Sequence, residues 1–170
     1  MRRVVVVGQS GAGKSTVGRQ LSQRLGVPHL ELDAFFHGPG WQASPTFVAD
    51  VEAATAGEAW VADGNYSAVR DLLWSRADTV VWLDLPRITT LRRVLLRTAG
   101  RLVRRRELWN GNRERWQTVL RASHPIRWTW QTDDRQRRDY EDRLLDPRWA
   151  QLAVVRLRTG ADVRRWVSQL

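Results

Sequence analysis

Lys14 closes the run Gly8-Gln9-Ser10-Gly11-Ala12-Gly13-Lys14-Ser15, which meets the phosphate-loop pattern G-x-x-x-x-G-K-[ST] at every fixed position. It is the only lysine among 28 lysines and arginines. The chemistry of the pattern explains why arginine does not replace it. A compact ammonium on a flexible stem reaches the β- and γ-phosphates from inside a tight loop, whereas a planar guanidinium fork is too broad. Successive backbone N–H groups from Gly8 to Thr16, with the start of the following helix, are expected to surround the phosphates of ATP. The Ser15 hydroxyl is expected on Mg²⁺.

Three acids follow apolar runs and could face the same anionic ligand: Asp33, Asp63 and Asp84. Magnesium keeps several waters and uses one or two carboxylates, and both Asp63 and Asp84 fit that need. A carboxylate near the acceptor can orient a hydroxyl or take its proton, and Asp33, before an irregular stretch, suits that work. Phe35, Phe36, His37 and Trp41 lie in that stretch and could stack on an acceptor, while Gly64, Asn65 and Tyr66 could contact it from the next strand end. His29, His37 and His124 have no metal-ligand spacing.

The elements that must position these residues alternate along the chain. Arg3-Val4-Val5-Val6-Val7 is a continuous β-branched run of the buried parallel type, and Val17, Leu21 and Leu25 recur at helical spacing until Gly26 and Pro28 stop them. A second strand is expected over residues 27–32 and a helix from Ser44-Pro45 to about Thr55. Further strands are expected over 60–63, 79–84 and 152–157, with a helix around Val69, Leu72 and Leu73. Thr159-Gly160-Ala161-Asp162 has the form of a capping box opening a last helix. Strands alternating with helices predict an α/β fold with a parallel sheet, and ligands at the carboxyl ends of its strands.

Composition predicts one domain over residues 1–170, with no linker-like stretch and no internal repeat. Zero cysteines exclude disulfides and thiolate metal sites, and with no leading apolar segment they predict a cytoplasmic protein that does not enter a membrane. The net charge of +10 is unevenly spread, with the arginines densest over residues 101–115.

The phosphate loop together with Leu30-Glu31-Leu32-Asp33, Pro39-Gly40-Trp41, Trp60-Val61-Ala62-Asp63-Gly64-Asn65-Tyr66 and Val80-Val81-Trp82-Leu83-Asp84 resembles the adenylate-kinase-like P-loop proteins often labelled DNA topology-modulation proteins. The resemblance spans most of the first hundred residues. It implies a P-loop three-layer sandwich with a five-stranded parallel sheet in the order 2-3-1-4-5 and a helical lid within residues 97–115. That order sets the third strand beside the first and favours Asp63 over Asp84 as the magnesium-side acid. Lid arginines would neutralise charge on the transferring group; Arg93, Arg97, Arg101 and Arg105 are candidates, Arg97 and Arg101 foremost. Nucleoside-monophosphate kinases usually read Asp-Gly-Phe-Pro-Arg where this chain has Asp63-Gly64-Asn65-Tyr66-Ser67, so the arginine that grips an acceptor phosphate is missing there.

The expected function is transfer of the γ-phosphoryl of Mg·ATP to a small acceptor, a nucleotide or nucleoside first and another small alcohol next. The catalytic set is Lys14, Asp33, Asp63, Arg97 and Arg101. A competing reading takes Trp109, Trp116, Trp128 and Trp130, interleaved with arginines, as a nucleic-acid-binding face on an ATP-binding protein. It is the less favoured one: arginine replaces lysine everywhere outside the loop, so the basic excess needs no partner. The chain is expected as a monomer or homodimer.

Overall fold

The computed structural model describes residues 1–104, 110 and 125–170, with side chains for 1–100, 110 and 134–170. Five parallel strands form one sheet: β1 (Arg3–Gly8), β2 (His29–Glu31), β3 (Trp60–Asp63), β4 (Thr79–Leu83) and β5 (Ala153–Leu157), in the order β2-β3-β1-β4-β5. The helices are α1 (Lys14–Leu25), α2 (Leu32–Phe36), α3 (Phe47–Ala54), α4 (Ser67–Arg76), α5 (Arg87–Arg104), α6 (Pro125–Leu144) and α7 (Gly160–Ser168). The order expected from the resemblance is the one observed.

The valines of β1 explain why helices cover both faces of the sheet. Side chains alternate along a strand, so Val5 and Val7 enter one apolar cluster, with Phe47, Val69, Leu73, Trp74 and Tyr140. Val4 and Val6 enter the other, with Val17, Leu21, Leu83 and Val167. Each of these four valines is at most 2% exposed, which is why the run reads as continuously apolar rather than alternating. As the central strand, β1 pairs with β3 on one side, Val6 against Asp63, and with β4 on the other, Gly8 against Leu83. The register therefore delivers the phosphate loop and the ends of β3 and β4 to one edge.

Among the boundaries that differ from the expected ones, two frame the candidate site. The second strand stops at Glu31, because Leu32 turns inward and begins α2. Leu32 is 1% exposed and packs where Gly64 has no side chain; a Cβ there would lie 2.8 Å from the Leu32 Cβ. Asp33 is consequently in a short helix rather than at a strand end. Helix α3 begins at Phe47, two residues beyond Pro45. The capping box of the last helix forms as expected: Thr159 Oγ1 accepts from Asp162 N, and the Asp162 carboxylate accepts from Thr159 N. None of the described helices is long and apolar enough to cross a membrane.

Candidate active site

The phosphate loop is built by close backbone approach. Gly11 has φ 81°, and a Cβ on it would collide with the Thr90 carbonyl and Val94 of α5. Only glycine combines that backbone conformation with that proximity. Gly8, at φ 142°, is held the same way against Leu83 of β4. Ala12 N donates to Gln9 O at 3.0 Å to close the turn, and Lys14 opens α1. The Lys14 ammonium folds over the loop, donating to Gly8 O at 2.9 Å and Gln9 O at 3.2 Å.

Lys14 gathers the other charged candidates around it. Burial lowers its proton affinity, Asp33 and Asp63 push it back up, and Arg97 lowers it further. Both acids and one α5 arginine thus act on the loop lysine. Arg93, a turn before Arg97, donates to Ala12 O at 3.1 Å and so braces the loop itself. Arg101 continues the same spacing on α5, with its side chain outside the described residues; Arg105 lies outside them altogether.

Asp63 ends β3 at 2% exposure, and its Oδ2 lies 3.3 Å from His29 Nε2. A buried carboxylate beside Lys14 and the Ser15 hydroxyl in the first turn of α1 offer oxygen donors of the kind Mg²⁺ takes alongside phosphate and water. Among the described residues no cluster of three or more His, Cys, Asp or Glu could hold a metal.

Asp84 has a different environment. Arg137 Nε lies 2.8 Å from its Oδ1, and Arg156 donates to its Oδ2 through Nε at 2.9 Å and Nη2 at 2.7 Å. The Arg156 guanidinium also lies 4.1 Å from the Trp82 ring centroid. With both oxygens engaged, Asp84 fastens α6 and β5 to β4.

On the acceptor side, Asp33 Oδ1 accepts from the Tyr66 hydroxyl at 2.7 Å. Burial and the Asp33 charge push the Tyr66 phenol well above its ordinary value, so it remains a donor. Tyr66 packs with Phe36 at 4.5 Å and Phe47 at 5.0 Å between ring centroids, and His37 meets Phe36 and Trp41 edge to face. Burial lowers the His37 pKa, which keeps its imidazole neutral near pH 7. Asn110, from the arginine-rich stretch, donates through its side chain to the His37 carbonyl. Gly64, the residue before Asn65, lies close against the Leu32 side chain.

Asn65, expected to contact the acceptor, has its side chain set against the phosphate loop. Its Nδ2 donates to the Gly8 carbonyl, and its Oδ1 accepts from the Tyr140 hydroxyl at 2.9 Å. Tyr140 and His29 were not anticipated from sequence; each contacts a site residue distant in the chain, and neither lies in a local pattern that marks it. Of the ten tryptophans, Trp60, Trp74, Trp82 and Trp149 are core; Trp109 and Trp116, and the side chains of Trp128 and Trp130, lie outside the described residues.

Fold, phosphate loop and the acids around Lys14 define the P-loop kinase class of architecture. The shikimate kinase family model matches residues 10–51, from the phosphate loop through most of α3. A shikimate kinase from Ruegeria pomeroyi is 36% identical over 124 residues, covering 58% of this chain and 63% of the relative. The chain thus spans less than two thirds of that relative's length. Among solved structures, a shikimate kinase from Acinetobacter baumannii in complex with shikimate aligns with TM-score 0.56 and 19% identity, covering 99% of this chain and 90% of its own. A gluconokinase from Sinorhizobium meliloti aligns with TM-score 0.51 and 20% identity, covering 99% and 94%. These likenesses support the P-loop kinase core of the sequence resemblance and not its topology-modulation label.

Proposed function

We propose that the chain transfers the γ-phosphoryl group of Mg·ATP to a hydroxyl of a small polyhydroxylated acid, shikimate being the acceptor to test first. The observation that carries this reading is the placement of Lys14 under the influence of both Asp33 and Asp63, with Asp33 held by Tyr66 on the acceptor side. The segment similar to shikimate kinases, residues 10–51, contains Lys14 and Ser15 of the loop together with Asp33. A nucleotide acceptor has less support, because Ser67 stands where nucleoside-monophosphate kinases usually have the arginine that grips an acceptor phosphate.

In this reading the loop amides and Lys14 hold the triphosphate, and Ser15 and Asp63 are the oxygen donors on the magnesium side. The ion, when bound, supplies charge neutralisation on the phosphate oxygens. Asp33, oriented by Tyr66, accepts a hydrogen bond from the acceptor hydroxyl and directs its oxygen at the γ-phosphorus. Arg97 adds positive charge over the transferring group, and Arg101, four residues on in the sequence, is the further candidate for that work. Catalysis comes from positioning and electrostatics, with no covalent enzyme intermediate.

The test is coupled ADP release with Mg·ATP and, separately, shikimate, gluconate, nucleosides, nucleoside monophosphates and duplex DNA. Saturable stimulation by shikimate is the expected result. Stimulation confined to a nucleoside monophosphate or to DNA would overturn the acceptor assignment, and no ATP binding at all would overturn the kinase reading.

A further inference from the structure

The Gly8 carbonyl sits at the entrance to the phosphate loop and accepts two side-chain donors, Lys14 Nζ and Asn65 Nδ2. Both are needed for different reasons. In the observed arrangement Lys14 satisfies Gly8 O and Gln9 O; to engage a β- or γ-phosphate it must give up that position. A buried carbonyl left with no donor opposes the move. Asn65 removes that obstacle, because its amide still donates to Gly8 O after Lys14 has left.

The amide can do so only in one orientation. If it were turned over, its oxygen would face the Gly8 oxygen. The Tyr140 hydroxyl, donating to Asn65 Oδ1 at 2.9 Å, selects the productive orientation, and Gly8 N adds a longer contact to the same oxygen at 3.4 Å. Tyr140 is itself immobilised: it is 1% exposed, stacked on Trp74 with 6.4 Å between ring centroids, and set against Trp82 at 5.6 Å. A small cavity bordered by Leu32, Tyr66 and Arg70 adjoins the pair.

We infer that Asn65 and Tyr140 are positioning residues for triphosphate binding: Tyr140 orients the Asn65 amide, and the amide replaces Lys14 at the Gly8 carbonyl when the lysine moves to the phosphates. The inference rests on the ATP-binding part of the proposed function.

The experiment measures the Kd of the full chain for Mg·ATP by calorimetry, at a temperature well below every variant's Tm, for the native sequence, Asn65→Ala, Asn65→Asp, Tyr140→Phe and the double variant Asn65→Ala/Tyr140→Phe. Asn65→Ala should weaken ATP about tenfold and Tyr140→Phe roughly threefold, in line with loss of one buried hydrogen bond each. The double variant should be no weaker than Asn65→Ala, since Tyr140 acts through the amide. Asn65→Asp, which fills the same space but cannot donate, should bind ATP no better than Asn65→Ala. Additive effects, or an aspartate that restores affinity, would overturn the inference and leave a space-filling role. Variants with lowered Tm and unchanged Kd would overturn it equally. Failure of the native chain to bind Mg·ATP would instead strike the proposed function.

Discussion

The Tyr66 hydroxyl donates to Asp33 Oδ1 at 2.7 Å, joining the end of the β3 loop to the short helix after β2. One acid oxygen is thereby committed to a protein donor and the carboxylate is aimed by it. Asp33→Ala is expected to lower kcat by roughly two to three orders of magnitude, the usual worth of a positioned acid or base. Tyr66→Phe, which keeps the ring but releases the carboxylate, should lower kcat roughly tenfold with little change in the KM for ATP. Steady-state kinetics with the identified acceptor checks both, and equal losses for the two variants would mean that Tyr66 has a role of its own.

Asp63 and Asp84 should separate cleanly. Asp84→Ala leaves Arg137 and Arg156 without their shared carboxylate, and the expected loss is about 2–3 kcal/mol in urea unfolding, reduced from the fully buried case because both arginines are partly exposed. Its affinity for Mg·ATP should stay within about twofold, since neither arginine reaches the loop through Asp84. Asp63→Asn should do the reverse, raising the Mg²⁺ concentration needed for half-maximal activity roughly tenfold.

Acid should weaken the fold partly through Asp78. Burial raises the proton affinity of this carboxyl, but hydrogen bonds from the Thr79 hydroxyl and from Arg3 N and Arg2 N outweigh it and leave the pKa below the ordinary value. A carboxylate with a depressed folded pKa contributes stability that is complete above its unfolded pKa of about 3.9 and is lost as pH falls through the folded value. Asp78→Asn should therefore flatten the decline of Tm between about pH 4 and pH 2 relative to the native chain, while lowering Tm at neutral pH.

Thr159 caps α7, the helix that covers the sheet face containing Val4 and Val6. Thr159→Ala should cost about 1 kcal/mol, and Thr159→Ser much less, because serine retains the hydroxyl that accepts from Asp162 N. Chemical denaturation resolves the difference. Phosphoryl transfer at saturating substrate should be unaltered by either.

Several features were legible in the chain because they are local. The loop from Gly8 to Ser15 contains its own reason for binding phosphate, and a valine run followed by a glycine loop and an amphipathic helix can be read within some two dozen residues. Thr159 and Asp162 likewise name their own contact. The approximate strand positions followed from apolar runs. The strand order came from a resemblance, since apolar pattern alone does not say which strands are neighbours.

What tertiary structure alone decided was which way each strand-end side chain points. Asp33, Asp63 and Asp84 look alike in sequence; the fold gives the first to Tyr66, the second to the neighbourhood of Lys14 and His29, and the third to two arginines. The Asn65 amide meets Gly8, 57 residues earlier in the chain, and Tyr140, 75 residues later, contacts that no local pattern announces. The phosphate loop is determined by its own backbone, which glycine makes possible at each point; the direction of a buried amide or carboxylate is determined by whichever donors the packed sheet and helices bring within about 3 Å of it.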